Sequence, residues 1–249
     1  MEIRSFVVLS LHSPREKIWG EMVALTPAGI TIRGVDLNFF EDLLERVRRA
    51  VREDALVTDV GSTKAAIVDR ATTLYNNGPV FIGGHPLAGR EKRGVEAAEP
   101  DLFVGARWVL TPWRRAHLET APAREFLRWI EKLGARPVVM DAELHDQIVA
   151  WTSHLPQLAA TALASTVAEN LNDQEDLLLS GGGLRDTTRL AESPYRVWRD
   201  IFLTNTENLE VALSALIQKL EHLRENLRTR TLEEEFRRAQ DLREKICRK

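Results

Sequence analysis

The residue in this sequence best suited to chemistry is a histidine that follows two glycines at the end of an apolar run. Val80-Phe81-Ile82 leads directly into Gly83-Gly84-His85-Pro86-Leu87-Ala88-Gly89. An unperturbed imidazole titrates near neutral pH, so it can take and return a proton. Glycines beside it would leave it accessible. Many strand-end histidines only hydrogen-bond to backbone, and spacing alone leaves catalysis and structure both open. A second constellation, Asp59-Val60-Gly61-Ser62-Thr63-Lys64, lies where a short apolar run gives way to a helical one. Gly61 permits a tight turn, and the Ser62 hydroxyl beside a helix N-terminus suits an anion or a polar ligand. The same residues also describe an ordinary turn with a serine N-cap.

Three further groups carry weaker signals. His145-Asp146 precedes Ser153-His154-Leu155-Pro156. On a straight helix this separation turns through about half a circle, so the two histidines are no metal pair. Pro156 disturbs the helix beside His154. His145 therefore reads as structural and His154 as a site candidate. Gly181-Gly182-Gly183-Leu184-Arg185-Asp186-Thr187-Thr188-Arg189 places two arginines four apart, which one helix face can share. Arginine grips a carboxylate with two parallel bonds, although a surface ion pair would use the same residues. Trp198, in Val197-Trp198-Arg199-Asp200-Ile201, is at helical spacing, where a large aromatic is usually core.

These residues need elements to position them. Phe6–Leu11, Ile18–Leu25 and Ile30–Arg33 read as three strands of a β-meander, with a tight turn at Thr26-Pro27-Ala28-Gly29. Phe39, Leu43, Val47 and Val51 then repeat every four residues, with acids early and arginines late, as in a helix whose charges match its dipole. Short apolar runs at Leu56–Val60, Val80–Ile82, Trp108–Leu110 and Pro137–Met140 alternate with helical stretches, the signature of a parallel sheet. If the first two of these strands are parallel, Gly61 and His85 share one sheet end, where open α/β sheets bind ligands.

After Asp141, a plausible N-cap, the sequence is helical. Ser193-Pro194 has the form of a further helix start. Leucines at 209, 213, 216, 220, 223 and 227 form a heptad seam, and Thr231-Leu232-Glu233-Glu234 has the form of a capping box. The expected organisation is a β-meander over 1–40, a partial Rossmann-like α/β domain over 41–140 and a helical domain over 141–249, with apolar faces suited to a partner subunit.

Composition narrows the class. With 44% hydrophobic residues the chain can bury a core, and a net charge of −3 lacks the basic excess that nucleic-acid binding requires. The single cysteine, Cys247, cannot form an internal disulfide or a zinc site, so a reducing cytoplasm is the expected compartment. No apolar run approaches the roughly 18 residues of a membrane span.

The order of the motifs is more specific than any one of them. The Asp59–Ser62 turn, the Gly83–Gly89 loop with Glu91-Lys92 and Gly94–Ala98 behind it, Trp108–Pro112, His145-Asp146, Ser153–Pro156, the triple glycine with Arg189, and Trp198–Ile201 together resemble the prephenate dehydrogenase family from Ala55 onward. The resemblance implies oxidative decarboxylation of prephenate, or of arogenate, with NAD or NADP on the way to tyrosine. It also implies a Rossmann-type cofactor domain and an interlocked homodimer built from the C-terminal helices. By the same resemblance His85 is the catalytic histidine and Ser62 positions it. Arg189, His154, Gly84 and Trp198 face the substrate, and Asp59, Gly61 and Ser62 face the cofactor. Gln157 stands where some relatives carry a second histidine, which leaves the choice of substrate open.

One departure is legible. A dinucleotide domain should open with strand, Gly-x-Gly-x-x-Gly and helix. Before Gly61 the only glycines are Gly20, Gly29 and Gly34, none spaced as Gly-x-Gly. The first βαβ unit is expected to be missing or replaced by residues 1–40. The alternative to an active enzyme is then a dimeric binding protein that retains the prephenate pocket.

Overall fold

The computed structural model describes residues 6–10, 17–26, 29–36, 40–88, 100–171 and 174–247. Pro27-Ala28 of the expected turn, Phe39 of the expected helical stripe, and Gly89 with the residues through Ala98 lie outside the described residues.

The expected β-meander is present. β2 (Lys17–Thr26) pairs antiparallel with β1 (Phe6–Ser10) and β3 (Gly29–Asp36), and the β2/β3 register shifts between Met22 and Ala24. Among the described residues this three-stranded sheet is separate from the four-stranded sheet that follows.

That second sheet has the order β4-β5-β6-β7, with β4 Leu56–Thr58, β5 Val80–Pro86, β6 Arg107–Pro112 and β7 Arg136–Val139. β4/β5 and β6/β7 are parallel, as expected, but β5/β6 is antiparallel, so the sheet is mixed. Parallel neighbours need a crossover, which α2 (Ala65–Leu74) supplies between β4 and β5 and α3 (Ala121–Lys132) between β6 and β7. Among the described residues no helix separates β5 from β6, which is compatible with an antiparallel pair.

Alternation along β5 sends neighbouring side chains to opposite faces. Phe81 packs in a core with Leu44 and Val47 of α1 (Phe40–Ala50), Val57, and Val68 and Ala71 of α2. Ile82 packs in the other core, with Trp108, Leu110, Ala123 and Ile130. Position 85 lies on the Phe81 side, because residues two apart share a face. That core also contains Ala142, the first residue of α4 (Ala142–Val149).

Asp141 caps α4 as expected: its Oδ1 accepts the N–H of Glu143 at 2.8 Å and of Leu144 at 3.2 Å. The helix is not straight. A π-turn over Ala150–His154 separates α4 from α5 (Leu155–Asn170). The half-turn estimate for His145 and His154 therefore does not apply.

Two compact units result. One reaches Ile148 and includes Glu192–Thr204; the other comprises Val149–Ala191 and Asn205–Lys249. The sequence boundary near Asp141 marks the start of α4, and the compact units part seven residues later, inside that helix. The first turns of α4 belong to the first unit because His145 and Asp146 bond into it. So does α8 (Tyr195–Thr204), whose Thr204 hydroxyl lies 2.8 Å from that of Thr63.

The second unit contains α5, α6 (Gln174–Leu177), α7 (Gly182–Thr188), α9 (Thr206–Asn226) and α10 (Glu233–Cys247). α9 carries the leucine seam. Leu209 is buried, but Leu213, Leu220 and Leu227 are exposed in the single chain. The expected capping box is not formed. The Thr231 hydroxyl instead bonds to Thr229 Oγ1 at 2.6 Å and Asn226 Oδ1 at 3.2 Å, closing the turn between α9 and α10. Among the described residues no helix is long and apolar enough to cross a membrane.

Candidate active site

The C-terminal ends of β4 and β5 lie side by side because the two strands are parallel and in register, with Thr58 opposite Ile82. This joins the Asp59–Lys64 turn to Gly83-Gly84-His85. The glycines serve close packing rather than exposure, contrary to the sequence reading. A Cβ at Gly84 would stand 2.5 Å from the Asp59 carbonyl oxygen. A Cβ at Gly83 would collide with Thr111 Oγ1 and meet Val68 Cγ2 at 3.0 Å. Both glycines are buried, while His85 is half-buried.

Asp59 and Lys64 clamp this end of the sheet. Asp59 accepts the Gly61 N–H at 2.8 Å and the Gly84 N–H at 3.1 Å, and its carboxylate pairs with the Lys64 ammonium. Lys64 Nζ also donates to the Gly84 carbonyl at 2.8 Å. Lys64 is 0% exposed, and burial pushes its pKa below the usual lysine value, against the opposing pull of Asp59 and then Asp146. Asp59, expected on the cofactor side, thus has its carboxylate engaged within the chain.

Ser62 is half-buried and does not cap α2; the N-cap position is Lys64, which offers no side-chain cap. Asp146 of α4 closes that helix end instead. Its Oδ1 accepts the Lys64 N–H at 2.8 Å and its Oδ2 the Ala65 N–H at 2.9 Å. A carboxylate at a helix N-terminus satisfies orphan donors and suits the dipole. Asp146 Oδ1 is also 2.7 Å from His145 Nδ1, and His145 Nε2 is 2.8 Å from His85 Nδ1.

His145 is therefore more than the structural histidine expected from sequence. It links His85 to Asp146, and both His145 and Asp146 are only 1% exposed. The signal was available: Ala142, His145, Asp146 and Val149 follow the i, i+3, i+4, i+7 pattern of a buried helix stripe, and two of the four are polar. A buried polar residue needs a partner.

The remaining candidates fall in two places. Trp198, on α8 of the first unit, donates its Nε1–H to Ser193 Oγ at 2.9 Å, so Ser193 serves the indole. His154 and Arg189 belong to the second unit. His154 is buried in the π-turn, with its Nδ1 at 3.2 Å from Asn205 Nδ2. Arg189 is exposed at the C-terminal end of α7. The triple glycine at the start of α7 has room to spare, since an added Cβ at Gly181, Gly182 or Gly183 meets nothing within 4 Å. Gln157 is buried and donates to Thr161 Oγ1 at 3.2 Å. Among the described residues no cluster of three acidic, histidine or cysteine side chains could hold a metal ion.

Comparison with known proteins gives this arrangement a family. The model described as "prephenate dehydrogenase, nucleotide-binding domain" matches residues 20–139, and that described as "prephenate dehydrogenase, dimerization domain" matches residues 141–241. The chain belongs to the prephenate dehydrogenase family. It is similar to the solved prephenate dehydrogenase of Aquifex aeolicus, whose structure holds hydroxyphenyl propionate and NAD+, with a TM-score of 0.70 and 34% identity over 83% of this chain and 71% of that one. It is also similar to the arogenate dehydrogenase of Synechocystis, with a TM-score of 0.66 and 33% identity over 82% of this chain and 73% of that one. The prephenate dehydrogenase of Lactococcus lactis is 35% identical over 184 residues, 72% of this chain and 49% of that protein. The chain spans about half the length of the curated relatives it matches.

Proposed function

We propose that the chain oxidises prephenate, or a close cyclohexadienyl relative, with a nicotinamide dinucleotide, releasing carbon dioxide and the matching aromatic product, 4-hydroxyphenylpyruvate in the case of prephenate. The observation that carries this reading is a histidine held through a buried hydrogen-bonded chain at the joint C-terminal end of two parallel strands. Open α/β sheets bind ligands at such an end, and His85 is the proton-transfer group there.

The fit to a dinucleotide is divided. The β4/β5 end, with its Gly61-Ser62 turn, suits the nicotinamide ring. The N-terminus of α2 is no phosphate site, because Asp146 already accepts its Lys64 and Ala65 N–H groups. A bound oxidised nicotinamide would supply the hydride acceptor.

The chain's own task is proton handling and alignment. His85 takes the ring hydroxyl proton as hydride leaves the carbon that bears it. Loss of carbon dioxide sends its bonding electron pair into the ring, and the aromatic product oxygen takes the proton back from His85. Prephenate dianion and the oxidised cofactor give a product monoanion, carbon dioxide and the reduced cofactor, so no net proton is released. Arg189 suits one substrate carboxylate, and Arg189→Ala is expected to raise KM for prephenate roughly tenfold to hundredfold. Dimerisation through the helical unit belongs to the same reading, supported by the exposed Leu213, Leu220 and Leu227.

The absent Gly-x-Gly spacing favours a second reading, a dimeric protein that binds prephenate without turnover. Titration of the purified chain with NADH, followed by fluorescence, separates the two. Saturable micromolar binding, with NADH formation from NAD and prephenate, supports the enzyme. Binding of prephenate or 4-hydroxyphenylpyruvate with no binding of NADH or NADPH would leave only the second reading.

A further inference from the structure

We infer that His145 and Asp146 are positioning residues that fix which ring nitrogen of His85 carries its hydrogen, an inference that rests on His85 being the proton-transfer group. Both Asp146 oxygens accept a backbone N–H, at 2.8 Å from Lys64 and 2.9 Å from Ala65. Asp146 Oδ1 also lies 2.7 Å from His145 Nδ1, and a carboxylate acts there as an acceptor, so the hydrogen sits on His145 Nδ1. A neutral imidazole with its hydrogen on Nδ1 has a lone pair on Nε2. His145 Nε2 therefore accepts from His85 Nδ1–H across 2.8 Å. His85 is left with its lone pair on Nε2, the form that can take a proton from a substrate hydroxyl.

The chain of bonds closes on itself. Lys64 donates its backbone N–H to Asp146 and its side chain to the carbonyl of Gly84, the residue joined to His85. His85 is thus held both through its ring and through its preceding peptide. His145, Asp146 and Lys64 are at most 1% exposed, so water does not compete for these bonds. A carboxylate that orients a histidine and selects its tautomer is the role played by the aspartate of serine-protease triads, where replacement by asparagine keeps the geometry and supplies the wrong tautomer. Here the effect would travel through one additional imidazole.

The test is the tautomer itself, read from long-range nitrogen–hydrogen NMR spectra of the histidine-labelled chain. The His85 signals are identified by their loss in His85→Asn. The expected result is Nδ1–H for wild-type His85 and Nε2–H for Asp146→Asn, whose amide donates to His145 Nδ1 and reverses both rings. His145→Phe cuts the chain but leaves Asp146 on its two backbone donors, so it remains informative if Asp146→Asn does not fold. His85 is then expected to lose its fixed Nδ1–H form. With turnover as a second readout, kcat should fall roughly 10²–10⁴-fold in either variant while KM changes little. An Nε2–H tautomer in the wild type, or one tautomer common to wild type and both variants, would overturn the inference. The spectra require no turnover. A chain without dehydrogenase activity that still switches tautomer would refute the proposed function and support the positioning role.

Discussion

The end of the β4–β5 sheet and the outer helices of the second unit solve opposite problems. At the sheet end, a buried lysine, two carboxylates and two histidines satisfy one another and the backbone around them. Along α9 and α10, large apolar residues such as Leu220, Leu227, Phe236 and Leu242 are exposed in the single chain. The first region finds these partners within one molecule, whereas the second has the surface expected of half an interface. Sensitivity to substitution should differ accordingly, with intramolecular losses at the sheet end and losses of association along α9.

The largest expected effect is on turnover. His85→Asn should lower kcat by about 10²–10⁴-fold, with sedimentation behaviour unchanged. Unchanged kcat would remove His85 from its role and reduce the sheet end to scaffolding. Lys64→Met should cost about 3–5 kcal/mol of unfolding free energy in urea, because it leaves Asp59 without its buried counter-ion. A loss under about 1 kcal/mol would place the pair among weak surface contacts.

Tyr75, at the C-terminal end of α2, gives a pH-dependent test. It donates to the Leu44 carbonyl at 3.0 Å, and burial pushes its pKa up to about 12. A phenol with a raised folded pKa contributes stability that is present below the unfolded value of about 10 and is lost as pH rises toward 12. Over that window the loss is on the order of 2–3 kcal/mol. Tyr75→Phe should be less stable by about 1 kcal/mol at pH 7, from the lost hydrogen bond. Its stability should then fall less steeply than wild type between pH 10 and 12, as measured by urea unfolding at each pH. Parallel curves for the two proteins would contradict the assignment.

The smallest intramolecular effect belongs to α9. Leu220→Glu should change the stability of the single chain by no more than about 0.5 kcal/mol, while moving the sedimentation equilibrium from dimer toward monomer. A variant that stays dimeric would separate the leucine seam from the interface.

Much of this fold was legible because its signals are local. The β-meander, the α1 stripe, the Asp141 cap and the leucine seam each follow from a period or a cap within a few residues. The antiparallel β5/β6 junction was not legible, since strand direction depends on a connection that leaves no mark on either strand's own pattern. At the site, His85 stood out because its surroundings are contiguous in sequence. His145 did not, because its partners are Asp146 beside it and a histidine 60 positions away. The cap role left open to Ser62 went to a distant group, and the one expected of Thr231 was lost to a competing local turn. A carboxylate 82 positions from Lys64 caps α2, and Thr231 is drawn into the turn formed by Asn226 and Thr229.

The closure of α2 by a distant carboxylate gives the molecule two internal gauges. The amide hydrogens of Lys64 and Ala65 sit at the first turn, where a helix supplies no acceptor of its own, and Asp146 is the acceptor they use. Their exchange with solvent therefore follows the docking of α4 rather than the melting of α2. Each undocking of α4 would expose these two hydrogens and release His145 in the same event. Slow exchange at residues 64 and 65 would measure, without any substrate, the fraction of time His85 is held ready.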